Sequence, residues 1–170
     1  MNTWSSDLTT RTGYTFAVRK VQPADGEALA EFFRHVTPED LRFRFLSTVK
    51  HVSQERLDEM INVDHHTKES FIALERDTST IIAVAMLGWD PVTSIGEVAV
   101  SIRKDHKGRG ISWELLGLVI RFAEANGIRT LQCVEDRANA SAIRLEREMG
   151  FKSRPYSGDS TLTVLEKAIA

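Results

Sequence analysis

Apolar positions recur along this chain with two periods, and the switches between them mark the elements. Residues 14–21, YTFAVRKV, alternate apolar and polar side chains, the period of a half-buried strand. Pro23, Ala24 and Asp25 then open a helix carrying Ala28, Leu29, Phe32 and Phe33 at helical spacing. A second helix starts at Thr37 as N-cap, with Pro38 in the first turn and Asp40 at the capping-box position. It carries Leu41, Arg42, Phe43, Arg44 and Phe45. Ser53 caps a third helix running to Asn62, with Leu57, Met60 and Ile61 on one face. Strands over 70–76 and 81–89 flank a turn at 77–79, and residues 90–94 turn into a further strand that includes 98–102. Leu115, Leu118, Val119 and Phe122 then repeat at helical spacing up to Gly127, which is placed as a stop. A strand over 130–134, a helix over 139–149 and strands near 151–155 and 161–166 complete the chain. Residues 1–13 are polar and show neither period. They are expected to be a disordered tail ahead of a single domain over 14–170.

Composition narrows the class. A chain of 170 residues suffices for one domain with one core. It is 42% hydrophobic and 27% charged, as ordinary soluble proteins are. The net charge of −2 gives no reason to expect nucleic acid or an anionic membrane as partner. No stretch is long and apolar enough to span a bilayer, and the first residues lack a signal peptide's apolar core. The one cysteine, Cys133, lies in the apolar run 130–134 and reads as a buried strand residue rather than a nucleophile. With no intrachain disulfide possible, a reducing, cytoplasmic setting is expected.

The chemistry concentrates where the strand ending at Ile102 gives way to the longest helix. The turn Lys107-Gly108-Arg109-Gly110-Ile111-Ser112 places two glycines just before a helix. Backbone N–H groups at a helix start carry the positive end of the dipole and suit a pyrophosphate. Gly-x-Gly-x-x-Gly fails, because Trp113 stands at the third position, and no Gly-Lys-Ser/Thr of a P-loop follows. What remains is the pattern [Arg/Gln]-x-x-Gly-x-[Gly/Ala], with Lys107 and Ser112 as mild departures. Ser112 is small and can cap the helix.

This turn resembles the acetyl-CoA signature of the GCN5-related N-acetyltransferases, the GNAT family. The order βαααβββαβαββ resembles that fold too. The resemblance implies a mixed α/β architecture: a central, mostly antiparallel sheet with helices on both faces and a splayed strand pair holding the pantetheine arm. NASAIRLEREMGF resembles the family's second signature through Asn139, Ala142, Gly150 and Phe151. Glu146 stands where the family often carries a tyrosine as general acid to the CoA thiolate. Residues 37–74 resemble the acetyltransferase domain of bacterial Pat-type protein lysine acetyltransferases. By position that likeness assigns a general-base role to Glu97, in Gly96-Glu97-Val98-Ala99-Val100.

The implied site has three parts. Acetyl-CoA would lie along Val100, Ser101 and Ile102, on Lys107, Gly108, Arg109, Gly110, Ile111 and Ser112, and against Asn139. Asn139 also reads as an N-cap. Backbone N–H groups near Val100 and Ser101, at an expected bulge, would receive the charge growing on the carbonyl oxygen. Glu97 reads as the base, or else as a solvated strand-end carboxylate. His65, His66 and Arg44 are expected at the substrate mouth. Asp64-His65-His66 does not read as a metal site, because neighbouring residues on an extended chain point apart, and no metal is expected. The resulting expectation is an acetyl-CoA-dependent N-acetyltransferase acting on a primary amine in a ternary complex. The acceptor stays open between a protein lysine and a small amine, as does the oligomeric state between monomer and homodimer. A non-catalytic acyl-CoA sensor is the reading from a different class.

Overall fold

The computed structural model describes residues 5–169. Eight strands form one sheet in the order β1-β2-β3-β4-β5-β6-β8-β7. They are β1 (Ser5–Thr9), β2 (Thr15–Lys20), β3 (Lys68–Glu75), β4 (Ile81–Asp90), β5 (Ile95–Ile102), β6 (Thr130–Asp136), β7 (Lys152–Pro155) and β8 (Leu162–Ala168). Every neighbouring pair is antiparallel except β5 and β6. The helices are α1 (Gly26–Arg34), α2 (Pro38–Phe45), α3 (Gln54–Ile61), α4 (Ile111–Ala125) and α5 (Ala140–Glu148). This is the mixed α/β architecture that the resemblance implied.

Alternation along β3 shows how the sheet holds two cores. Phe71 and Ala73 pack with Leu115, Leu116 and Val119 of α4. Ile72, between them in sequence, packs with Leu29, Phe32 and Phe33 of α1 and Leu57 and Met60 of α3. A strand buried on both faces reads as a continuous apolar run, as SFIAL does here. Burying a side chain such as Leu115 contributes about 1.5–3 kcal/mol.

Caps fall where the sequence puts them, with instructive exceptions. Thr37 accepts the Asp40 N–H at 3.1 Å, and Ser53 accepts the Arg56 N–H at 3.2 Å. The Asp40 carboxylate does not complete a capping box. It reaches Lys107 Nζ at 2.6 Å instead. Arg19 holds Asp25 with two bonds, of 2.9 and 2.8 Å, fixing the entry to α1.

The expected N-terminal tail is corrected from Ser5 onward. Ser5–Thr9 pairs with β2 as the edge strand β1, and residues 1–4 lie outside the described residues. Polar edge strands carry no inward apolar stripe, so periodicity missed this one. The hairpin continues as Thr10, Arg11 and Tyr14 against the glycine turn. Thr10 is buried against Gly110, the Arg11 guanidinium sits 4.7 Å over Trp113, and Tyr14 faces His106 and Arg109.

Candidate active site

β5 and β6 pair only at Ile95–Thr130, Gly96–Leu131 and Glu97–Gln132. Beyond that point the strands part, although β5 runs on to Ile102 and β6 to Asp136. Their polar edges therefore face an opening rather than one another. On its other side β5 keeps an unbroken register with β4, from Asp90–Ile95 to Ala83–Ile102. The expected bulge at Val100 and Ser101 is therefore absent; the irregularity falls instead between Ala73 and Leu74, on β3. No bulge is needed to free a donor. The Arg103 N–H donates to Ile82 O at 2.8 Å, and antiparallel pairing alternates. By that alternation the N–H groups of Val98, Val100 and Ile102 point toward β6; the parallel pairing of Glu97 with Gln132 engages that of Val98, and those of Val100 and Ile102 face the opening.

The turn 107–110 closes one end of the opening. Gly110 has φ +86° and is the N-cap of α4, with no side-chain cap. Ser112, expected as a cap, lies inside the helix. The first N–H groups of α4 thus lack intrahelical partners at the positive end of the dipole. A 15-residue helix presents that end squarely. Gly108 also has a positive φ, +77°. Both conformations favour glycine. A Cβ at Gly110 would meet Thr10 at 3.4 Å, so the glycine serves the packing of the hairpin as well as the turn.

A cavity of about 330 Å³ occupies the opening. Its walls include Val100, Ser101, Ile102, Lys107, Gly108, Gly110, Ile111, Ser112 and Asn139, nine of the ten positions expected to hold the cofactor. Arg109 is the exception: it turns outward over the Tyr14 ring, 5.5 Å away. Arg44 reaches the wall; His65 and His66 do not. The His65 imidazole is held by the fully buried Glu69 at 2.8 Å, and Glu69 also meets Lys20 at 3.3 Å. The His66 backbone N–H donates to Asp64. Asp64 accepts from three backbone N–H groups and the Thr67 hydroxyl, which hold its carboxyl well below the ordinary range. The Asp-His-His stretch is thus a folded turn.

Glu97 is exposed, one residue before the stretch of β5 that lines the cavity. Its side chain shares a face with Ala99 and Ser101, the face on which α2 packs. Arg44 of α2 feels it: burial lowers the guanidinium's pKa, Glu97 opposes this, and Arg56 adds to it. Arg44 donates to Met86 Sδ at 3.1 Å and has no carboxylate within ion-pair distance among the described residues.

Sequence reasoning missed Glu135. It projects from β6 into the same cavity, half-buried. Asn139, expected to cap α5, makes no cap bond and instead donates from Nδ2 to Glu135 Oε2 at 3.2 Å. Glu146 of α5 completes the pair: buried, on the cavity wall, with a carboxyl oxygen within 4.8 Å of one on Glu135. Burial raises both carboxyl groups above their ordinary range. For Glu146 the neighbouring Glu135 charge adds to that effect; for Glu135, the nearness of Glu146, the bond from Asn139 and the charge of Arg44 oppose it. Burial and the nearness of the two carboxyl groups disfavour the doubly ionised state, so the pair retains a proton. Burial also pushes up the Cys133 thiol, which keeps it protonated and supports its reading as a strand residue. The signal available in sequence was Glu135 lying two residues after Cys133, on the same strand face.

The model of the Acetyltransferase (GNAT) family matches residues 30–151. The chain belongs to the GNAT acetyltransferase family. An acetyltransferase of Pseudomonas aeruginosa is 27% identical over 154 residues, covering 89% of this chain and 83% of its own. The L-methionine sulfoximine/L-methionine sulfone acetyltransferase of the same organism is 34% identical over 56 residues, 33% of each chain. Among solved structures, the GNAT domain of Streptomyces lividans PAT superposes with a TM-score of 0.90 at 23% identity, covering 97% of both chains. The fold is thus that of a Pat-type GNAT domain. GNAT proteins use acetyl-CoA, and the parted strands and uncapped α4 start of this one fit that molecule's arm and pyrophosphate. Among the described residues, no helix is long and apolar enough to cross a membrane.

Proposed function

We propose that this GNAT protein transfers the acetyl group of acetyl-CoA to a primary amine by direct attack in a ternary complex. The parting of β5 and β6 after Glu97, beside the uncapped start of α4, carries this reading. Acetyl-CoA supplies an acetyl thioester. The Ile111 and Ser112 N–H groups and the Lys107 ammonium would hold its phosphates. The N–H groups of β5 that face the opening, Val100 foremost, would stabilise the charge that grows on the carbonyl oxygen. Glu97, at the strands' point of parting, would take the amine's proton directly or through a water.

The resemblance of residues 37–74 to Pat-type domains favours a protein lysine as acceptor. The 56-residue match to an L-methionine sulfoximine/L-methionine sulfone acetyltransferase favours a second reading, a small amine. Labelled acetyl-CoA incubated with the protein and a lysate, followed by separation of proteins from small molecules, decides between them. Label in proteins above the enzyme-free control supports the lysine reading. Label in small amines alone supports the second. Calorimetry with CoA, and thiol release with pooled amines, separate either reading from a sensor that binds without turnover.

A further inference from the structure

One arginine of α2 is paired and the next is not. Arg42 holds Asp136, at the end of β6, at 3.1 Å. Arg44, two residues on, lines the cavity and donates to Met86 Sδ. A thioether is a weak acceptor and carries no charge. Arg56 of α3 repeats the pattern. Its Nη1 is buried without a hydrogen-bond partner, and among the described residues no carboxylate lies within ion-pair distance of it. Both guanidinium groups lie over the Phe45 ring, Arg44 at 4.8 Å and Arg56 at 4.4 Å. Two like charges thus share one ring, and each disfavours the other. A guanidinium withdrawn from water with no anion against it is uncompensated. Glu97 and Glu135 act on Arg44 from β5 and β6, yet both stand beyond ion-pair distance.

We propose that Arg44 binds a carboxylate of the acceptor, placed beside the amine that receives the acetyl group. The proposal rests on the acetyl-transfer reading and names the acceptor's chemistry. A guanidinium presents a planar fork of N–H donors that matches a carboxylate with two parallel bonds. The thioether contact is readily given up for such a pair. Arg56 adds positive potential on the same ring. The neighbouring carboxylates select what enters. A phosphate dianion would face Glu97 and Glu135 together. An acceptor carrying both an ammonium and a carboxylate adds no net charge, and it can set the ammonium toward Glu97 and the carboxylate toward Arg44. That orientation delivers the amine to its base. The carboxylate belongs either to a free amino acid or to an acidic side chain next to a reacting lysine, and the recognising chemistry is the same.

The test compares matched acceptors in wild type and Arg44→Gln. One arm sets free amino acids against their amides. The other sets lysine peptides with a neighbouring Asp or Glu against the same peptides with Asn or Gln. Amine-dependent thiol release gives kcat/KM, and calorimetry on the CoA-bound protein gives acceptor affinity without turnover. In wild type the carboxylate form should be preferred about 10–10²-fold in one arm, mainly through KM, and that arm names the source. In Arg44→Gln the preference should shrink to a few-fold. No preference in either arm in wild type overturns the proposal, whatever the variant does. A preference that persists undiminished in a folded Arg44→Gln overturns it as well. Failure of the wild type to bind CoA would instead remove the acetyl-transfer reading, and acid-against-amide affinity of the free protein would still report on Arg44.

Discussion

Glu97 and Gln132 are the last residues that join β5 to β6. One step further along, the strands separate and the cavity begins. A side chain at that junction is fixed by ladders on both sides, since Glu97 also pairs with Gly88 of β4. It is a rigid place from which to present a carboxylate. Glu97→Gln should therefore lower kcat roughly 10²–10⁴-fold and leave CoA affinity nearly intact. The acidic limb of the pH–rate profile should change with it. An unchanged rate and profile would mean that Glu97 is only a surface carboxylate.

The Glu135–Glu146 pair makes stability depend on pH. The folded chain retains a proton that the unfolded chain gives up above the ordinary glutamate value of 4.5. Unfolding thus releases a proton as pH rises, so stability must fall from that pH upward through neutrality. The slope is at most about 1.4 kcal/mol per pH unit for one proton. Chemical denaturation at several pH values should show this decline, and Glu146→Gln should flatten it. Equal slopes in the two proteins would contradict the shared proton.

Asp40 and a bound phosphate compete for Lys107. The pair at 2.6 Å is partly exposed, and such pairs contribute about 0.2–1 kcal/mol. Asp40→Asn should then tighten CoA binding by up to roughly five-fold, the upper end of what that energy converts to. Calorimetry reads it directly. Weaker binding would mean that Asp40 positions Lys107 for the phosphate instead of withholding it.

The hairpin of β1 and β2 supports the glycine turn through Thr10, Arg11 and Tyr14. Arg11→Ala removes the guanidinium from Trp113, an interaction that contributes about 0.5–1 kcal/mol. Melting temperature and CoA affinity should both fall modestly. A loss confined to melting temperature would show that the hairpin stabilises the fold without tuning the turn.

Much of this was legible in the chain. The apolar periods placed the helices and the central strands, and the turn 107–112 with Asn139 marked the cavity's walls. What stayed hidden had physical reasons. β1 carries SSDLT, and a polar edge strand has no apolar alternation to detect. Val100 needed no bulge to free its N–H, because the parting of a neighbouring strand did so, and that is a property of pairing rather than of residues. His65 faced Glu69 because of a positive φ, 62°, in the turn made by Asp64. Glu135 looked like any strand-end carboxylate until α5 laid Glu146 against it.

The central claim is that this cavity delivers the acetyl group of acetyl-CoA to an amine. The most direct test is free-thiol release from acetyl-CoA, with and without a pool of primary amines, in wild type and Gly110→Val. The turn holds Gly110 at φ +86°, where a β-branched residue is strained and its side chain would press on Thr10. Thiol release should require amine, match the N-acetylated product one for one, and collapse in the variant together with CoA affinity, while its circular dichroism remains that of a folded chain. Amine-independent release, or equal activity and CoA affinity in a folded Gly110→Val, would contradict the account.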